Sequence, residues 1–203
     1  VISPVDNSTS TQLNVKTSYV TLANRLEPLG IQFNHKVAKT FDDWQKNIQQ
    51  ANEQADILLF ALYHTVKCST SEDAKQISSK DLLRWTLANT TLPAIGAWGF
   101  FVEDGGRFSI GVSPFEQGSV AAQMAVDYLE QGIKPGEQKT KTTEQSIIYM
   151  REGRADRQGF TLPIIYQNFA RATDNYIRVC DNFSAPCEDA LQPAPDLVKF
   201  CES

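Results

Sequence analysis

This chain has 203 residues, and those suited to chemistry are two histidines, four cysteines and a scatter of serines. Their spacing argues against catalysis. A Ser-His-Asp arrangement would have to use His35 or His64, and neither has an evident partner. Ser109 follows Arg107-Phe108 and lacks the first glycine of a nucleophile elbow. His64 and Cys68 stand four apart, a spacing a metal could use on a helix, but two isolated ligands fall short of a zinc site. No Walker A loop, no G-x-G-x-x-G after the first strand, no H-E-x-x-H and no C-x-x-C is present. The expectation is a non-enzyme with no catalytic residue, no metal and no cofactor.

Binding is better supported. Leu92-Pro-Ala-Ile-Gly-Ala-Trp and Gly106-Arg-Phe-Ser-Ile-Gly-Val read as two short buried strands. A loop then opens at Ser113, and a helix closed by Gly132 packs back on the sheet. Loops at the carboxyl ends of such strands are where α/β proteins hold ligands. Tyr63, His64, Trp98 and Phe115 fall at those ends, where an aromatic serves as a ligand platform or as a plug over the core. Ser113 before Pro114 contacts a ligand or satisfies a turn. His35 alternates along a strand and reads as structural.

The elements that must position these residues follow from periodicity. Val1–Pro4 is a short apolar strand, and Val15, Tyr19, Leu22, Leu26 and Leu29 mark a helix ended by Gly30. Ile31–Val37 alternates as a strand with one covered face. Thr40-Phe-Asp-Asp43 has the spacing of a capping box, and Trp44, Ile48, Ala51 and Ala55 form the stripe of the helix it opens. Asp56–Leu62 is almost continuously apolar, as a central parallel strand is. The loop 63–77 is long, as functional or mobile loops are. A helix from Ser78, strands at Leu92–Ala97 and Phe108–Val112, and a helix at Ser119–Gln131 follow. The later part is weaker: a strand at Gln145–Met150, a helical turn at Ala155–Gly159 and a helix within Thr161–Arg171. The alternation predicts an α/β fold, a doubly wound and mainly parallel sheet with helices on both faces. It divides into a Rossmann-like lobe over 1–175 and an irregular, cysteine-containing tail over 176–203.

Bulk properties narrow the partners. A formal charge of -5 argues against nucleic acid, whose phosphates call for a basic face. The run Ile57–Tyr63 is far short of the ~20 apolar residues of a spanning helix, so no direct membrane insertion is expected. The chain opens in an apolar strand with no leader, as a mature or trimmed product would. Of the four cysteines (Cys68, Cys180, Cys187, Cys201), three follow Arg178 in a proline-punctuated stretch that gains from a covalent staple. At least one disulfide to the tail is expected, which places the chain in an oxidising compartment. Three complete pairings remain open.

Several segments recur together in one known family: Asp56-Ile-Leu-Leu-Phe, Leu92-Pro-Ala-Ile-Gly, Ile110-Gly-Val, Gly118-Ser-Val-Ala-Ala, Leu129-Glu-Gln-Gly-Ile-Lys-Pro and Gly159-Phe-Thr-Leu-Pro-Ile-Ile. In order and spacing they resemble the substrate-binding proteins of ABC transporters with the type I periplasmic-binding fold. The similar branch is the uncharacterised ABC transport periplasmic component, whose studied members bind aromatic amino acids. The resemblance runs from about Val1 to Asn175 and implies the second of two lobes plus its closing segments. A first lobe would lie before Val1, so the chain reads as a fragment or a one-lobed product. It also implies a small-molecule solute held by hinge closure, a membrane permease or receptor partner, and a periplasmic or otherwise extracytoplasmic location. The alternative output on the same fold is the ligand-sensing domain of a signalling receptor.

Carried over position by position, the resemblance implies ligand contacts at Ser8 and Thr9, within the polar helix start Asp6–Ser10 where backbone N–H groups can hold an anion. It implies others around Leu62-Tyr63-His64-Thr65, where the family often has Thr-Asp-Asn-Thr and only Thr65 is retained. At Val112-Ser113-Pro114-Phe115 the family has Val-Asp before its aromatic pair, and Trp98-Gly99 stands where an acidic dipeptide often follows the fourth strand. Acidic contacts have become neutral or aromatic here, which implies an aromatic or neutral planar solute.

Overall fold

The computed structural model describes residues 2–3, 20–141, 144–152, 162–178 and 193–202. Ser8, Thr9, Cys180, Cys187 and the turn expected at Ala155–Gly159 lie outside the described residues. The strands are β1 (Ile2–Ser3), β2 (Lys36–Val37), β3 (Leu58–Phe60), β4 (Ala94–Gly96), β5 (Phe108–Val112), β6 (Ser146–Arg151) and β7 (Tyr176–Ile177). Helix α1 covers 20–26 among the described residues and runs into a 3-10 turn, Glu27–Leu29. It is followed by α2 (Phe41–Gln54), α3 (Ser79–Ala88), α4 (Phe100–Glu103), α5 (Pro114–Gln131), α6 (Ile164–Ala172) and α7 (Leu197–Glu202).

The seven strands form one sheet in the order β2-β1-β3-β4-β5-β6-β7. The first five are mutually parallel, β6 is antiparallel to β5, and β7 is parallel to β6. The order 2-1-3-4-5 is that of an open doubly wound sheet, whose direction of winding reverses beside β1. Strand alternation sends Leu58, Phe60 and Ala94 to one face and Ile95 to the other. On the first face α2, α3, α4 and α7 bury Phe41, Trp44, Ile48, Leu82, Leu83, Phe101, Val102 and Leu197. On the second, α6 packs Ala170 and Tyr166 against Phe108, Met150 and Ile95. The α/β class with helices on both faces is therefore present.

The capping box at Thr40 forms as its spacing predicts. The Thr40 hydroxyl accepts from the Asp43 N–H at 3.2 Å, and Asp43 Oδ2 accepts from the N–H groups of Thr40 and Lys39 at 3.2 and 3.3 Å. Partial burial pushes the Asp43 carboxyl up, but these bonds outweigh it and hold the group below its ordinary value of 3.8. A carboxyl depressed in the folded state contributes stability that is complete above the ordinary value and lost as pH falls through the folded one. The variant Asp43→Asn should thus be less stable than the parent at neutral pH. The gap should close in acid, once the carboxyl is protonated in the folded state too, as urea titrations at neutral and at acidic pH would show. An equal gap at both would assign the effect to packing.

Two expectations are corrected. First, the α5 pattern implies a helix over 119–131 packed on the sheet; its C-terminal end is as predicted, with Gly132 left-handed at φ 69°, but it starts earlier, at Pro114 with Ser113 as N-cap, and none of its residues is buried. The position over Phe108 and Met150 is filled by α6 instead. Second, the 176–203 stretch is not irregular throughout: it supplies β7 and α7, and Leu197 of α7 enters the main core. The 63–77 loop is held at many points. Lys67 bridges Thr40 on one side and Gln76 on the other, and Val66 and Ile77 are buried. Cys68 is bonded to Cys201 of α7, a disulfide across 133 residues of sequence.

Candidate functional site

The parallel register sets the strand ends level. Phe60 of β3 pairs with Gly96 of β4, and Gly96 with Ser109 of β5. The Ala97 N–H still donates to Phe60 O at 2.8 Å, so the chain leaves the sheet only after Ala97. β5 then overhangs β4 by three residues, to Val112. Trp98 stands directly beyond the end of β4 and is 41% exposed. Phe115, in the first turn of α5 beyond β5, is 80% exposed. Neither plugs the core.

The Trp98 loop lies against β5 because position 111 lacks a side chain. A Cβ on Gly111 would stand 3.0 Å from Ala97 O and 3.6 Å from Trp98 Cα. Gly99 has a similar reason: a Cβ there would come within 2.7 Å of the Tyr149 ring.

Ser113 is buried and caps α5, its hydroxyl accepting from the Glu116 N–H at 3.3 Å. Glu116 in turn accepts from the N–H groups of Glu144 and Gln145 at 2.9 and 2.7 Å, tying the chain before β6 to the start of α5. The turn reading of Ser113 is thus occupied by a specific bond.

Tyr63 and His64 follow β3 but differ in surroundings. Tyr63 is 1% exposed, its ring among Trp44, Phe60, Phe100 and Phe101. Its hydroxyl donates to Asp104 Oδ2 at 2.9 Å. Burial first, and then Asp104, push the phenol far above its ordinary value, so it stays protonated. His64 stacks on Tyr63 with centroids 4.8 Å apart, meets Phe100 edge-on at 4.5 Å, and keeps its side chain 42% exposed. Its Nε2 lies 3.8 Å from Asp104 Oδ2. Its carbonyl accepts from the Gln76 side chain. Thr65 is exposed beside it.

His64, Thr65, Trp98 and Phe115 are therefore at the surface beyond the parallel strands, while Tyr63 is buried against His64 and Ser113 is buried as the cap of α5. Asp104, Phe100 and Gln76, which hold Tyr63 and His64, have no signature in the sequence analysis. The signal for the first two is short: Gly99-Phe-Phe-Val-Glu before Gly105-Gly106, one helical turn between two breakers. Ser109 is fully buried and its hydroxyl has no hydrogen-bond partner among the described residues. Cys68 is committed to the disulfide, which removes its thiolate from any metal set with His64. Among the described residues no group of three or more His, Cys, Asp or Glu could hold a metal. A hollow of about 250 Å3 lined by Arg171, Asp174, Tyr176 and Arg178 lies along β7, three strands from β4. It is separate from the strand tips.

No family model matches the chain, and no curated protein matches it. Solved structures do. A conserved domain protein from Vibrio cholerae is similar over 83% of this chain and 52% of its own, at 19% identity and a TM-score of 0.53. The ABC domain in complex with L-Trp from Streptococcus pneumonia is similar over 83% and 54%, at 15% identity and a TM-score of 0.54. The ligand-free, open structure of a substrate binding protein with adhesive properties from Clostridium difficile is similar over 89% and 53%, at 16% identity and a TM-score of 0.52. At these identities the likeness shows the fold, that of periplasmic-binding-type proteins. The chain spans about half the length of each.

Proposed function

We propose that this chain forms one lobe of a solute-binding protein and contributes the strand-tip half of an interlobe site, with Trp98 and Phe115 as aromatic contacts. The observation that carries the reading is their exposure, 41% and 80%, beyond β4 and β5 of a sheet wound in the order 2-1-3-4-5. A large aromatic left in water at a strand tip gains by covering a flat apolar solute. The similar structures, one of them holding L-Trp, support the same role at the level of fold.

The solute in this reading is aromatic or neutral and planar. His64, Thr65 and Trp98 contact it from this lobe, and Ser8 and Thr9, outside the described residues, are further contacts in the same reading. Closure of two lobes on a hinge traps it, and the closed form is read by a membrane permease of an ABC-type uptake system. The lobe is taken to extend over 1–175, with β7 and α7 of the 176–203 stretch completing its sheet and core. It works outside the cytoplasm, in keeping with the Cys68–Cys201 bond. It catalyses nothing and needs no cofactor. Among the described residues no helix is long and apolar enough to cross a membrane.

Calorimetry on the full-length protein tests this with a panel of aromatic, aliphatic and cationic solutes. Aromatic solutes should bind, and Trp98→Ala should weaken them by roughly tenfold or more, the scale of one lost aromatic contact. Binding confined to cationic solutes, or unaffected by Trp98→Ala, would overturn the proposal.

A further inference from the structure

We propose that the hollow beside β7 is a second binding site, separate from the strand tips, for an oxyanion that keeps a hydrogen, of the hydrogenphosphate type. The hollow measures about 250 Å3 and is lined by Arg171, Asp174, Tyr176 and Arg178. Register puts it at the other edge of the sheet. Tyr176 pairs with Met150, and Met150 with Phe108, the first residue of β5, whereas the tips lie beyond Val112, its last.

The donors are arranged before any ligand arrives. The Tyr176 ring packs against the cluster of Phe108, Met150 and Ala170, and its hydroxyl accepts from Gln167 Nε2 at 3.4 Å. The Arg171 guanidinium lies over that ring, with Cζ 3.8 Å from the centroid. A guanidinium this close meets a ring with its face, and its N–H groups, which lie in the plane, remain to donate. Such a fork takes two oxygens of one oxyanion at once. Holding it on an aromatic ring removes rotamer freedom that a ligand would otherwise have to freeze. Arg178, two residues beyond Tyr176, adds a second permanent positive charge to the same hollow.

Asp174 decides which anion is taken. It follows α6 in the left-handed conformation at φ 55°, and the next N–H, that of Asn175, returns to Ala170 O at 2.8 Å. The lining thus sets one carboxylate, which only accepts, among two guanidinium groups, which only donate. An oxyanion without a hydrogen, such as sulfate, fills the fork but meets Asp174 with repulsion. An anion that keeps an O–H gives that hydrogen to the carboxylate and its other oxygens to the arginines. Selectivity of this kind comes as much from the group that repels as from those that attract.

Sodium phosphate and sodium sulfate are the probes, titrated into the full-length protein near neutral pH at constant ionic strength, so that screening is the same throughout. The amide NMR signals of residues 171–178 report binding even where it is weak. Phosphate should shift them saturably and bind about tenfold tighter than sulfate, the scale of one charge-assisted hydrogen bond. Arg171→Gln should weaken phosphate by about tenfold or more, as loss of the fork requires. Asp174→Asn should bring sulfate level with phosphate, a change of preference that a merely structural role would not produce. Both positions are exposed, so the two variants should melt close to the parent. No saturable shift with either anion, equal binding of the two by the parent, or phosphate binding that survives Arg171→Gln would overturn the site. A preference for phosphate that persists in Asp174→Asn would overturn the part given to Asp174.

Discussion

Replacing Cys201 by serine is expected to lower the thermal midpoint of the oxidised protein by about 10 °C or more. The bond to Cys68 spans 133 residues, and loop closure of that size removes about 4–5 kcal/mol of conformational freedom from the unfolded chain. For a chain of this size each kcal/mol moves the midpoint by about 2–4 °C. The native state loses as well. Helix α7 has only six residues, too few to hold itself together in water, and Leu197 is its buried contact with the main core. Cut from Cys68, α7 frays, and the 63–77 loop loses its covalent anchor. Cys68→Ser, Cys201→Ser and the double variant should melt together, since each removes the same bond. Single variants that differ from the double by more than about 1 kcal/mol would mean the cysteines act separately. A shift below about 2 °C would mean the closed loop is already compact when unfolded.

The bond also shows where sequence reasoning reached and where it stopped. Clustered cysteines indicated a staple to the tail, but the choice of Cys68 depends on α7 returning to the β3–α3 loop. Nothing local to either cysteine encodes that. Local chemistry was legible wherever it was sufficient. Thr40 and Asp43 close their capping box, Gly30 and Gly132 take the left-handed turns their positions implied at φ 76° and 69°, and Phe108–Val112 is a strand over its expected length. Ile31–Val37 alternates throughout, yet only Lys36–Val37 is strand. A strand needs a partner, and among the described residues β1 pairs with it through Ile2 and Ser3.

The site was half legible for a related reason. Strand ends could be counted from the pattern, so Trp98 and Phe115 were placed beyond β4 and β5. Which way a side chain turns after the last strand residue was not encoded in the pattern. Tyr63 and His64 are adjacent, and one is in the core while the other is at the surface. The difference is made by α4, a single turn too short to register as a period, which brings Phe100 and Asp104 to both rings. The α5 pattern misled in the opposite sense: an amphipathic stripe shows that a face can be covered, not that this chain covers it.

Trp44→Ala should be among the most destabilising single changes, costing about 4–5 kcal/mol, the upper range for removing a buried aromatic. Trp44 is fully buried, stacks on Phe60 at 5.8 Å, touches Tyr63 and donates from Nε1 to Thr86 Oγ1 at 2.8 Å. It thus joins α2 to β3 by packing and to α3 by a hydrogen bond. Trp44→Phe separates the two terms. The ring remains, the donor is lost, and Thr86 still donates to Leu82 O at 2.7 Å, so only its accepting lone pair is orphaned. That change should cost about 1–2 kcal/mol for the bond, with a smaller part for the volume lost. Urea unfolding of Trp44→Phe, Thr86→Val and the pair would give a coupling of about 1 kcal/mol if the bond is the shared element. Independent effects would assign the loss to cavity alone. Because Trp44 also contacts Tyr63, whose hydroxyl anchors Asp104 beneath His64, Trp44→Ala reaches the candidate site through the core. A protein that tolerated it with a loss under about 2 kcal/mol would have α2 packed far more loosely than a buried tryptophan requires.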